Sequence, residues 1–175
     1  MKKYLCALMA ALLGGCATAP KGLVPVAGFE LQRYLGTWHE IARLDHSFER
    51  GLVGVTAEYS MREDGGVKVV NRGYKTASGA WKEATGRAYF IGPASVGQLK
   101  VSFFRPFYGG YNIVELDREG YNYALVAGPS TKYLWILARQ PVLAPEIVAR
   151  LAAKARELGF DTGKLIFPGA APQVK

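Results

Sequence analysis

The sequence predicts an all-β fold: an eight-stranded antiparallel up-and-down β-barrel with one C-terminal α-helix packed outside it. Three observations carry that expectation. Residues 37–139 alternate between strand-like runs and short turns rich in Gly, Pro, Asp and Ser. Gly36-Thr37-Trp38 opens the stretch and Arg139 ends it, so closing the sheet would bring a guanidinium over an indole face. A single helical pattern follows, and the outer wall of the barrel is the one apolar surface left to receive it.

Strands are expected near 37–46, 53–62, 67–76, 80–91, 97–104, 110–117, 121–128 and 132–139. Their separators are turn-forming clusters, among them Glu63-Asp64-Gly65-Gly66, Ala77-Ser78-Gly79, Tyr108-Gly109-Gly110 and Gly128-Pro129-Ser130. Turns this short join antiparallel neighbours, because parallel ones need long crossovers. An open eight-stranded sheet would leave two edges unpaired, and closure removes both. Alternation along Val53–Tyr59 gives a strand with one apolar and one polar face. Pro145 suits the first position of the helix and Glu146 its positive end. Ile147, Val148, Leu151, Ala155 and Leu158 form its apolar stripe, Gly159 is placed for a left-handed cap, and Lys164–Phe167 adds a short strand.

The chain divides into a signal peptide (1–15), a tether (16–28), one barrel domain (29–168) and a tail (169–175). Met1-Lys2-Lys3 is basic, and Tyr4–Leu13 is apolar but too short to span a bilayer. Leu13-Gly14-Gly15-Cys16 resembles the bacterial lipobox, which implies acylation of Cys16 and attachment to a membrane. Ala17 after that cysteine implies the outer membrane, facing the periplasm. Ordinary cleavage after Ala17-Thr18-Ala19 is the alternative, and would release a soluble protein.

With Cys6 removed and Cys16 acylated, the domain keeps no free thiol, which excludes disulfides, thiol catalysis and cysteine metal sites. His39 and His46 are the two histidines, and nothing beside them completes a metal-ligand set, so neither a metal nor another cofactor is expected. Removing Lys2 and Lys3 lowers the bases from 22 to 20 against 14 acids, a formal +6. These bases are scattered among acids, which argues against a nucleic-acid partner. Asp45-His46-Ser47 cannot form a triad on a strand, where adjacent side chains point to opposite faces, and no catalytic residue is expected. A monomer and a homodimer are both compatible with the sequence.

The barrel region resembles the lipocalin family. Tyr34-Leu35-Gly36-Thr37-Trp38 matches its first signature block, Thr131-Lys132-Tyr133 stands at the second with Lys132 in place of an acid, and Arg139 matches the third. Trp38-His39-Glu40-Ile41-Ala42-Arg43, Phe48-Glu49-Arg50-Gly51 and Phe103–Tyr111 are similar to the bacterial and apolipoprotein D branch, except that Arg105 replaces the usual glycine. The resemblance spans about residues 28–167 and implies a calyx holding an apolar ligand.

Parity from Trp38 places Glu40, Ala42 and Leu44 on the lumenal face, and parity from Arg139 adds Leu137, Trp135 and Tyr133. Val55, Ala57 and Tyr59 form the more apolar face of their strand. The resemblance adds Asn71, Phe103, Tyr111, Val126, Ala84, Ala88 and Phe90. Tyr59, Asn71, Trp135, Phe103, Tyr111, Phe90, Glu40 and Val126 are therefore the candidate ligand-binding residues, although an aromatic at strand spacing serves core packing as readily. Gly36, Trp38 and Arg139 are read as structural, sealing one end. Glu40 either pairs with a cation or contradicts the parity, because an unpaired buried carboxylate is costly. Phe104, Arg105, Phe107 and Tyr108 are either an exposed lip or a well-packed hairpin.

The expected function is that of a membrane-anchored binding protein, not an enzyme, with a fatty acid or lysophospholipid in the lumen for storage, transport or membrane maintenance. Two alternatives stand beside it. One is a lipid-modifying enzyme with Glu40 or Asp45 as base, and the other a sealed barrel acting as an interaction platform.

Overall fold

Eight strands wind into a closed barrel in the computed structural model, which describes residues 18–172. The expected signal peptide and Cys16 lie outside the described residues. A one-turn helix, α1 (Leu31–Tyr34), leads into β1 (Gly36–Leu44), β2 (Leu52–Met61), β3 (Val67–Lys75), β4 (Ala80–Phe90), β5 (Gln98–Phe104), β6 (Phe107–Leu116), β7 (Tyr123–Ala127) and β8 (Leu134–Ala138). Each strand pairs antiparallel with the next, and β1 pairs with both β2 and β8, so no edge of the eight is left open. Strand positions agree with the sequence expectation to within a few residues at most ends.

Helix α2 (Pro145–Glu157) begins at the expected proline and ends before Gly159, whose φ of 86° is the left-handed cap anticipated from sequence. Leu151 and Ala155 are fully buried against Leu125, Leu134 and Ile136 on the outer faces of β7 and β8. Beyond the helix, β9 (Leu165–Ile166) pairs with Arg43 and Leu44 of β1. α1 was not anticipated; one turn is too short to produce a helical period.

Apolar burial therefore falls into two layers. The inner one runs through the barrel and includes Trp38, Tyr59, Val67, Val69, Leu99, Ile113 and Val126; the outer one lies under α2. Ala42 and Leu44 belong to the outer layer, which corrects the lumenal placement expected for them. The β1–β8 register shifts between Glu40 and Ala42, and this bulge reverses which residues face in. Arg43, not Ala42, consequently points at Glu40 from inside the barrel.

The ends of the barrel differ. At the end formed by the start of β1 and the β6–β7 turn, Tyr34, Phe29 and Trp38 close the lumen. The entering chain reinforces this end: the Val26 N–H donates to the Ile113 carbonyl at 2.8 Å, and the Gly97 N–H donates to the Val26 carbonyl at 2.8 Å. The opposite end, ringed by the β1–β2, β3–β4, β5–β6 and β7–β8 turns, is open.

Candidate functional site

The lumen is a cavity of about 600 Å³ that opens between Phe48, Phe104, Phe107 and Tyr133. Its wall is mostly apolar. Val55, Ala57, Val67, Val69, Ala84, Ala88, Leu99, Val101 and Leu137 leave room because none is larger than leucine. The open lumen removes the sealed-barrel alternative.

At the closed end Arg139 stacks on Trp38, with its Cζ 4.1 Å from the ring centroid. The same guanidinium donates to the carbonyls of Thr37 (2.9 Å), Arg33 (2.7 Å) and Tyr121 (3.3 Å). The Trp38 Nε1–H donates to the Tyr34 carbonyl at 2.8 Å. Gly36 sits at φ 93°, and a Cβ there would also approach Arg139 Nη1 at 3.5 Å. These three residues stand beneath the cavity and none lines it.

Just above them three tyrosine hydroxyls form a chain. Tyr111 Oη lies 2.7 Å from Tyr34 Oη and 2.8 Å from Tyr59 Oη. Burial raises all three phenols above their ordinary value, so they remain neutral and act as hydrogen-bonding groups. Across the lumen Asn71 Oδ1 is buried and has no partner among the described residues, a vacant acceptor on an otherwise apolar wall.

A second polar group lies beside Trp135. Glu40 pairs with Arg43, whose guanidinium also donates to the carbonyls of Glu49 (3.0 Å) and Leu52 (3.3 Å). Glu49 Oε2 accepts from Trp135 Nε1 at 3.0 Å and lies 2.9 Å from His46 Nε2. Burial, with the neighbouring Glu49 carboxylate, pushes Glu40 up to about 8 despite Arg43. Burial also raises Glu49, but the His46 ring and the Trp135 N–H outweigh it and hold this carboxyl below the ordinary glutamate range. The sequence condition on Glu40 is thus met by a cation in the next inward position, a partner that only the bulge supplies.

Six of the eight candidate residues line the cavity: Glu40, Tyr59, Asn71, Phe103, Tyr111 and Trp135. Phe90 and Val126 face inward but pack within the inner layer, away from the lining; Phe90 meets Phe29 edge-on at 6.1 Å. Tyr34, Arg43, His46 and Glu49 were missed as members of the site. The alternation Val67-x-Val69-x-Asn71 signals its wall residues plainly, whereas the inward turn of His46 and Glu49 lies in a loop with no period to read. Asp45 points outward to Arg50, so Asp45, His46 and Ser47 do not form a triad. Among the described residues no group of His, Cys, Asp and Glu is arranged to hold a metal ion.

Comparison with known proteins agrees with this geometry. Residues 29–170 match the model of the lipocalin-like domain. The chain is 53% identical over 167 residues to outer membrane lipoprotein Blc of Vibrio cholerae, covering 95% of this chain and 98% of that protein. It is 53% identical over 150 residues to the Blc of Escherichia coli K12, covering 86% and 84%. Mouse apolipoprotein D is more distant, at 32% over 162 residues, covering 87% and 81%. The solved structure of insecticyanin from the tobacco hornworm Manduca sexta superimposes with a TM-score of 0.69 over 87% of this chain and 86% of that one; at 23% identity it speaks for the fold alone. The Blc relatives place the chain among lipid-anchored proteins of the outer membrane. With the domain matched almost end to end and the barrel closed as described, the chain belongs to the lipocalin family and is a binding protein, not an enzyme.

Proposed function

We propose that the barrel binds one lipid with a single acyl chain, a fatty acid or lysophospholipid, and that it serves lipid storage, transport or upkeep of the membrane that carries it. The observation that supports this most is the apolar cavity of about 600 Å³, closed at one end and open at the other. That size lies within the range of roughly 300–1,000 Å³ usual for small-molecule pockets. Each buried CH₂ of an acyl chain would contribute about 0.8 kcal/mol before ordering costs. Acyl attachment at Cys16 would hold the domain on the membrane, facing the periplasm.

The polar groups divide the ligand's two ends. The base of the lumen offers neutral tyrosine hydroxyls and Asn71, with the Glu40–Arg43–Glu49 group beside Trp135. Towards the mouth the lining adds Lys82, while the neighbouring Arg72–Glu83 pair, at 2.7 Å, alternates to the outer face of β3 and β4. A lysine at the rim suits an anionic head group, the carboxylate of a fatty acid or the phosphate of a lysophospholipid. Titration with lysophosphatidylethanolamine while following tryptophan emission tests the reading. Saturable quenching that Trp135→Phe abolishes is expected; emission indifferent to the lipid would contradict it.

A further inference from the structure

The base of the lumen carries one hydroxyl hydrogen more than its own groups can use. Tyr111 Oη meets Tyr34 Oη at 2.7 Å and Tyr59 Oη at 2.8 Å, and no other hydrogen bond reaches these hydroxyls among the described residues. Burial keeps all three phenols neutral, and each therefore brings one hydrogen. A chain of three hydroxyls has two links. One hydrogen thus stays without an acceptor whichever way the links run, a condition that buried donors rarely tolerate. All three tyrosines line the cavity, and the spare hydrogen is offered to its occupant.

A spare acceptor stands beside it. Asn71 lies on the inner face of β3, paired with Ala57 of β2 on one side and Ala84 of β4 on the other. Two alanines leave the amide uncovered from both flanks. Its Oδ1 is buried and has no partner among the described residues. Tyr59 pairs with Val69, two residues before Asn71 on the same face, which makes Tyr59 and Asn71 diagonal neighbours across the β2–β3 pair. Long side chains reach one another across such a diagonal. A turn of the amide about its terminal torsion, which is broad and nearly two-fold for asparagine, aims Oδ1 into the cavity.

These two groups select the chemistry of what fits between them. It must accept from a phenol and donate to an amide oxygen, and a hydroxyl does both. An unsubstituted acyl chain does neither. An ionised carboxylate only accepts, and it would bring a charge against Val55, Val67, Val69 and Leu99. No cation is free to meet it there: Arg43 is committed to Glu40, and Arg139 lies beneath the floor with its guanidinium on three carbonyls.

The geometry points to a hydroxyl-recognition site at the base of the lumen, in which Asn71 and the Tyr34–Tyr111–Tyr59 chain together hold one hydroxyl group of the bound lipid. The inference rests on the lumen binding a single-chain lipid. Such a hydroxyl has two sources, the acyl chain itself or the free glycerol hydroxyl of a lysophospholipid, and the chemistry of the site is the same for both.

The test titrates the full chain in nanodiscs of diacyl phosphatidylcholine, following tryptophan emission, with two matched sets of lipids. One set is stearate beside 3-hydroxystearate and 12-hydroxystearate. The other is 1-stearoyl lysophosphatidylethanolamine beside its 2-deoxy analogue, which lacks the glycerol hydroxyl. Affinities are read as ratios within a set, and comparing each ratio between wild type and variant cancels partitioning into the disc. Wild type should favour a hydroxylated member about fivefold or more, and Asn71→Leu, close in size but without polar atoms, should bring that ratio to within about twofold of one. Tyr59→Phe, which removes the hydroxyl beside Asn71, should lower the ratio as well. A preference confined to the stearate set assigns the site to an acyl-chain hydroxyl, and one confined to the second set assigns it to the glycerol hydroxyl; both support the proposal. Equal affinities within both sets, or a preference that Asn71→Leu leaves intact, overturn it while lipid binding stands. Saturable binding of none of these lipids overturns both readings together.

Discussion

Arg139 lies flat on Trp38, 102 residues from the Thr37 carbonyl to which it also donates, and so ties the last barrel strand to the first. The guanidinium makes one ring contact and three carbonyl contacts from a single plane, which a lysine ammonium cannot reproduce. Arg139→Lys should lower stability by about 2–3 kcal/mol, from lost hydrogen bonds and a weakened cation–π contact. Urea denaturation would measure it. Lipid affinity of the folded variant should stay within a factor of about two, since neither residue lines the cavity.

Stability should depend on pH through Glu40. Its carboxyl is raised to about 8 by burial and by Glu49, so the folded protein retains a proton that the unfolded chain loses near 4.5. The contribution is complete below about 4.5 and is lost as pH rises through about 8. Glu49 works in the opposite sense, but its lowered range lies below this window. Denaturation curves collected from pH 5 to 9 should show wild-type stability falling. Glu40→Gln, which mimics the protonated acid, should flatten that fall and exceed wild type at pH 9. Parallel pH profiles for the two proteins would refute the assignment.

Tyr111→Phe should destabilise the barrel by about 1–3 kcal/mol, because the Tyr34 and Tyr59 hydroxyls both lose the partner between them. Tyr59→Phe, at the end of the chain, should cost less. Thermal unfolding of the two variants would rank them.

Filling the lumen should remove binding without unfolding the protein. Ala84 lines the cavity beside Asn71 and is not part of the packed inner layer. Ala84→Trp should weaken lysophospholipid binding at least tenfold while leaving the unfolding midpoint nearly unchanged. Calorimetric titration beside a denaturation curve checks both halves.

Most of this architecture was legible because the barrel repeats one rule. Gly65-Gly66, Ser78-Gly79 and Gly128-Pro129 stop strands whose alternation fixes what faces in, and Trp38 and Arg139 mark where the sheet begins and ends. Parity failed where that rule is interrupted. The irregularity between Glu40 and Ala42 moves Ala42 and Leu44 under α2 and turns Arg43 inward, and nothing in the local sequence announces an extra residue. The group around Trp135 was hidden for a related reason. His46 and Glu49 come from a loop, and their meeting with Trp135 joins positions 86 residues or more apart in sequence. Tyr34 escaped notice because its role depends on the single turn of α1, which aims the ring at Tyr111.

The central claim is that this lumen holds one lipid with a single acyl chain. Native mass spectrometry of the domain, released from the membrane and freed of detergent, tests it most directly. The account predicts a mass shift of one lipid per barrel, with fatty acid or lysophospholipid recovered on dissociation and the shift lost in Ala84→Trp. A barrel that flies empty, and stays empty after incubation with lysophosphatidylethanolamine, would contradict it.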